Sequence, residues 1–132
     1  MSTTDRTIKT PDWRSKETFE AYQEKVQSGH LTHGCRLCEA EPLAEFEYWY
    51  IIPNNFPYDR VADVHHMIVP KRHTDGDDLS TAELKELDVL KKTELNTRAY
   101  NYIMQSLPNQ MSIPAHLHYH LLKVKTFADV DV

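Results

Sequence analysis

Apolar positions recur along this chain with two periods, and the switches between them outline its elements. From Ser15 to Gln27, Phe19, Tyr22 and Val26 follow at i, i+3 and i+7 with Trp13 just ahead, which predicts a short amphipathic helix packed on the main body. Ser28-Gly29 closes it. The stretch from His30 to Glu41 reads as a loop. Glu45 to Ile52 begins with polar and apolar alternation and finishes aromatic and β-branched, predicting a strand. Pro53-Asn54-Asn55-Phe56-Pro57-Tyr58-Asp59 breaks it into a turn-rich loop. A second strand spans about Asp63 to Val69 and stops at Pro70-Lys71-Arg72-His73. Ser80-Thr81-Ala82-Glu83 fits a capping box and opens a helix that runs to about Ser106, with Leu84, Leu87, Leu90, Tyr102 and Ile103 facing inward. Leu107-Pro108-Asn109 ends it, and a last strand runs from about Ile113 to Lys125. The order of helix, two strands, long helix and strand points to an antiparallel α+β domain.

The last strand carries the chemistry. In Ser112-Ile113-Pro114-Ala115-His116-Leu117-His118-Tyr119-His120-Leu121-Leu122, three histidines stand two residues apart with apolar or aromatic residues in the gaps. Alternation along a strand puts His116, His118 and His120 on one face and Leu117, Tyr119 and Leu121 on the other. A single histidine in a strand is usually a hydrogen-bonded core residue. Three on one face, each needing a partner or a metal, mark a site.

The chain has 132 residues, which suits one domain: a polar tail over residues 1–11, predicted to be poorly ordered, and a single domain over residues 12–132. Net charge is −5 with the histidines neutral, so no long nucleic acid is the expected partner. No apolar stretch approaches the ~20 residues of a membrane span, and no signal segment is visible. The chain therefore reads as cytoplasmic. Its two cysteines, Cys35 and Cys38, form a C-x-x-C pair that in a reducing compartment suggests half of a metal site or a redox motif. With histidines nearby, zinc fits the donor types. Two ligand sets compete: a local one of His30, His33, Cys35 and Cys38, and a long-range one of Cys35, Cys38, His73 and one histidine of the triple, with His116 best placed. The long-range set would tie distant segments of a small domain together.

These residues resemble the histidine triad (HIT) superfamily of nucleotidyl hydrolases and transferases. His116-Leu117-His118-Tyr119-His120-Leu121-Leu122 is similar to its H-φ-H-φ-H-φ-φ signature, and Cys35-Arg36-Leu37-Cys38, Asn54-Asn55-Phe56-Pro57-Tyr58 and the His65 to His73 segment agree in order. The resemblance covers about Cys35 to Val124. It implies a HIT-like antiparallel β-sheet with a long packed helix beside the N-terminal helix, commonly as a homodimer. It also implies that His118 attacks the α-phosphorus of a small-molecule nucleotide substrate to give a nucleotidyl-histidine, with His120 donating to the α-phosphate. By the same resemblance His65 contacts the phosphate region, Asn54 the ribose and Ser112 the phosphate side. Cys35, Cys38, His73 and His116 would hold a structural zinc, as in the zinc-containing branch. Two departures bear on the substrate: the Gly-Gln-Ser/Thr approach is replaced by Asn109-Gln110-Met111-Ser112-Ile113-Pro114-Ala115, and about two extra residues separate Asn54 from His65.

The expected activity is a hydrolase cleaving at the α-phosphate of a phosphoramidate, ester or dinucleoside polyphosphate. Histidine at position 120 resembles the hydrolases, whereas transferases of the superfamily usually carry glutamine there. The alternatives are a nucleotidyl transferase, a catalytically weak nucleotide-binding module, and a metalloenzyme whose three histidines hold a catalytic ion. Lys71, Arg72, Lys123 and Lys125 flank the motifs and could attract a polyanion. His66 points away from His65 and reads as structural.

Overall fold

A computed structural model describes residues 13–29 and 34–126. The predicted 1–11 tail and the local-set histidines His30 and His33 lie outside the described residues. Helix α1, Lys16–Gln27, starts at Ser15, whose Oγ accepts the Thr18 N–H, a side-chain cap for a free donor of the first turn. A single helical turn, α2, Arg36–Glu39, follows within the expected loop, with Cys35 at its N-cap.

Five strands form one antiparallel sheet in the order β1-β2-β3-β5-β4: β1 is Ala44–Glu45, β2 Trp49–Pro53, β3 Ala62–Pro70, β4 Tyr102–Met104 and β5 Tyr119–Val124. The architecture is α+β, as the apolar pattern predicts. The single strand expected over Glu45–Ile52 is instead a hairpin. Phe46 N–H bonds the Trp49 carbonyl at 2.9 Å, and the turn amides of Glu47 and Tyr48 donate to the Glu86 carboxylate at 3.1 and 2.7 Å. That carboxylate comes from a helix distant in sequence, so nothing local announces the turn.

The long helix is also shorter than expected. Helix α3 covers Thr81–Lys92 behind the predicted capping box at Ser80 and Glu83. It gives way at Thr93 to one turn, α4, Glu94–Thr97, and Tyr102 and Ile103 belong to the edge strand β4, where they are exposed. Leu87 and Leu90 are buried, whereas Leu84 is exposed. The physical reason lies at Asn101: its N–H donates to the Leu122 carbonyl at 2.8 Å, its Oδ1 accepts the Val124 N–H at 2.8 Å and its Nδ2 donates to the Val124 carbonyl at 3.2 Å. Pairing with β5 therefore satisfies the backbone at Asn101, and the chain leaves the helix after α4.

Alternation divides the core into two layers. Trp49, Ile51, Ile68, Leu117 and Leu121 join Leu87, Leu90 and Leu95 on the helix side of the sheet. Ile52, Met67 and Val69 join Leu37 on the opposite side, each buried aliphatic group worth about 1.5–3 kcal/mol. On β3 the same alternation sends His66 to the helix side, where its Nδ1 lies 2.6 Å from the Tyr100 hydroxyl, and His65 to the opposite face with Met67. The site lies on that opposite face, with α1 at its rim: Tyr22 packs edge-on against Phe56 and its hydroxyl lies 2.5 Å from Ser112 Oγ. Among the described residues no helix is long and apolar enough to cross a membrane.

Candidate active site and metal centre

The triple-histidine segment is only half a strand. The ladder of β5 begins at Tyr119, because Pro114 supplies no N–H and the stretch to His118 is turn and coil. Its position is fixed from another loop instead: Leu117 N–H donates to the Thr74 carbonyl at 2.6 Å. Thr74 is buried and its hydroxyl bonds Asp78. Gly76, at φ +100°, lets this loop close on Leu117, since a Cβ there would sit 3.1 Å from Leu117 Cδ2. Alternation is kept: Leu117 enters the helix-side core while the three histidines are buried away from it.

Each imidazole has a defined hydrogen-bond role. His116 Nε2 lies 3.0 Å from the Pro70 carbonyl and must donate to it, so Nδ1 carries the lone pair. That Nδ1 lies 3.5 Å from Cys35 Sγ and 3.3 Å from Cys38 Sγ, and Cys38 Sγ is 3.3 Å from His73 Nδ1. The four donor atoms of Cys35, Cys38, His73 and His116 all lie within 4.8 Å of one another. Tetrahedral zinc needs sulfur-to-nitrogen separations of about 3.5 Å, and the donor set and second-shell carbonyl fit it. The one-turn helix α2 brings the i and i+3 sulfurs to one side. Burial and the adjacent Cys35 push the Cys38 thiol up to about 11, because a thiolate there would be desolvated and would face a second sulfur.

His118 Nδ1 lies 3.0 Å from the His116 carbonyl and donates to it, which leaves Nε2 as the ring's free nitrogen. Burial pushes the His118 pKa down, opposed by that carbonyl bond, so the ring is neutral near pH 7. One residue, His116, thus offers its ring to a metal and its carbonyl to its neighbour.

A chain of donors fixes the next two rings. Tyr58 N–H donates to His65 Nδ1 at 3.0 Å, so a neutral His65 carries its hydrogen on Nε2. That Nε2 lies 2.8 Å from His120 Nδ1, which must accept. His120 therefore holds its hydrogen on Nε2, 3.4 Å from Ser106 Oγ, directed to the cleft. Burial, then the facing His120, lowers His65 to about 3, and burial, then His118, lowers His120 to about 4. Asn54 Nδ2 is 3.3 Å from His65 Nε2, but its Oδ1 is taken by the Phe56 N–H at 2.8 Å. Donor faces donor there; one Nδ2 hydrogen goes to Met67 Sδ at 3.7 Å, and the other is left for a ligand.

His118, His120, Asn54 and Ser112 line one cleft, with a cavity volume of about 120 Å³. His65 does not line it; it stands behind His120, with the Tyr58 ring 4.3 Å from its own. The chain is similar in structure to two histidine triad proteins. One, a Hit Like Protein, is 18% identical with a TM-score of 0.44 over 76% of this chain and 95% of that one. The other, a HIT family hydrolase from Clostridium thermocellum, is 17% identical with a TM-score of 0.43 over 85% of this chain and 95% of that one. No protein-family profile and no curated protein matches the sequence.

The basic residues that flank the motifs stay out of the cleft. Lys71 pairs with Glu45 at 2.7 Å, and Arg72 with Glu83 and Asp78 at 2.9 and 3.1 Å. The cations that do line it are Arg14 and Arg36. Tyr58, Ser106 and Gln110 join them. Sequence spacing gave no sign of Arg14, which precedes the whole motif region and reaches the site only because α1 docks there.

Proposed function

We propose that this chain is a histidine triad hydrolase acting at the α-phosphate of a nucleotide derivative, with a structural zinc. The observation that carries the reading is the committed tautomer of His118: Nδ1–H bonds the His116 carbonyl, and a neutral Nε2 is left on a cleft wall. A neutral imidazole held this way is a competent nucleophile.

In the first half-reaction the His118 Nε2 lone pair forms a bond to the α-phosphorus, and the phosphorus bond to the leaving group breaks with its electron pair going to that group. His120 Nε2–H, whose direction His65 sets, donates to a phosphate oxygen as charge builds there. In the second, water forms the new P–O bond, the P–N bond breaks, and the water's proton passes to solvent, restoring neutral His118 and releasing a nucleoside monophosphate. Asn54 Nδ2 is offered to the ribose hydroxyls and Ser112 Oγ to the phosphate side. Cys35, Cys38, His73 and His116 would hold the zinc, which supplies cross-linking of α2, the end of β3 and the triad segment. The open edge of β4, with Tyr102 62% exposed, suits the homodimer that the resemblance implies.

The test is intact mass spectrometry after brief mixing with adenylated and guanylated substrates, quenched at mildly alkaline pH. The expected result is a gain of one nucleoside monophosphate in wild type and none in His118→Ala, with product release in wild type. Turnover by His118→Ala at the wild-type rate would reject the covalent route.

A further inference from the structure

Arg14 is a buried cation, 6% exposed, that the sequence motifs do not include. Its backbone neighbours are pinned. Ser15 N–H and Oγ donate to the Asp59 carboxylate at 2.6 and 2.9 Å, and Thr18 Oγ1 donates to it at 2.6 Å. Its guanidinium is clamped as well: Nε donates to the Phe56 carbonyl at 2.7 Å, and the plane lies over the rings of Tyr22 and Tyr58, 4.4 and 4.9 Å from their centroids. Among the described residues neither Nη donates to a protein acceptor and no carboxylate lies within ion-pair distance; Asp59, held by Ser15 and Thr18, acts on Arg14 only from farther off. Among the described residues no buried side-chain polar atom is left without a partner, so the Nη edge opens on the cavities that Arg14 lines.

There are two such cavities, and Arg14 stands where they meet. The first is the histidine cleft. The second, with a cavity volume of about 330 Å³, shares Arg14, Tyr58, Ser106, Gln110 and Ser112 with it and adds Trp13 and Met104. Trp13 is 41% exposed and stands edge-on to Tyr58 at 5.1 Å, presenting an apolar face to whatever occupies that space. A site with room on both sides of one fixed guanidinium suits a substrate with an anionic middle. Arg is the side chain whose planar fork best matches phosphate oxygens.

We propose that Arg14 is the anion-binding residue of this site, that it seats an anionic leaving group at the mouth of the second cavity, and that it thereby favours polyphosphate over amine leaving groups. The inference rests on the hydrolase reading for its catalytic arm only. Leaving-group chemistry points the same way. When a P–O bond to a polyphosphate breaks, the electron pair stays on the bridging oxygen and a fixed cation is all that is required. An amine departs only once protonated, and His65 and His120, both neutral at pH 7, are weakly suited to supply that proton. Arg14 keeps its charge throughout.

The experiment compares wild type, Arg14→Gln and Arg14→Lys on diadenosine tetraphosphate and adenosine 5′-phosphoramidate, with calorimetric binding of inorganic tripolyphosphate measured in parallel. For Arg14→Gln, kcat/KM falls on both substrates but about tenfold or more further on the tetraphosphate, and tripolyphosphate binds about tenfold or more weakly. Arg14→Lys recovers part of both. An unchanged substrate ratio with unchanged tripolyphosphate affinity would overturn the proposal. If wild type turns over neither substrate, the hydrolase reading fails, while tripolyphosphate binding still decides the role of Arg14. Should Arg14→Gln not fold, the arginine side-chain ¹⁵N–¹H signals of the wild type serve instead: tripolyphosphate must shift those of Arg14, and if they stay in place the assignment is wrong.

Discussion

At the scale of single residues, the site is a set of tautomers chosen by the backbone. The Pro70 carbonyl sets His116, the His116 carbonyl sets His118, and the Tyr58 amide sets His65 and through it His120. His65 therefore acts through another ring, as a positioning residue. Replacing it tests this. His65→Phe removes the donor to His120 Nδ1 and frees that ring to adopt the other tautomer, so kcat should fall by about 10–100-fold with little change in KM. His65→Gln, whose amide nitrogen can approximate Nε2–H, should restore a good part of it at the same melting temperature. Equal activity of all three proteins would mean that the orientation of His120 does not depend on this bond.

At the scale of elements, what was legible followed local chemistry, and what was missed depended on partners far along the chain. The capping box at Ser80 and Glu83, the β3 stretch, and the division of His65 from His66 by strand alternation were all readable because neighbours in sequence decide them. The hairpin at Phe46 to Trp49 was not, because Glu86 satisfies its amides. Nor was β4, because Asn101 finds its partners on β5. The four metal-ligand candidates could be gathered from donor chemistry and the resemblance, whereas Arg14 enters by the docking of α1, for which periodicity gives a face but no address. The proposed zinc site would join three such elements, so removing one of its ligands is a fold experiment. Cys38→Ser should reduce bound zinc well below one per chain and lower Tm by roughly 10 °C or more. Well below that lower Tm, the variant should retain measurable turnover. Complete loss of turnover in a folded, zinc-free protein, reversed by adding metal, would instead favour a catalytic ion.

For the whole molecule, a cluster of buried neutral histidines makes stability depend on pH in a defined direction. In the unfolded chain histidine titrates near 6.5, whereas His65 and His120 in the fold do so near 3 and 4, and burial also lowers His66. Between those limits the unfolded state binds more protons than the native one, so stability rises with pH. The contribution is complete above about pH 6.5 and is lost progressively as pH falls towards 4. The groups facing the pair, Arg14 and the Tyr58 ring, offer no counter-charge that would rescue a protonated form. A second loss belongs to lower pH. Glu83 and Asp78, held below their ordinary values of 4.5 and 3.8 chiefly by hydrogen bonds from Arg72, release their share only as those carboxylates protonate. Melting temperatures from pH 7 to 3 should therefore fall in two stages. His65→Phe should flatten the first stage between about pH 6.5 and 4 while leaving the second in place. A wild-type Tm that stays level down to pH 4.5 would show that these rings are not held neutral, and the tautomer chain that orients His120 would then need a different basis.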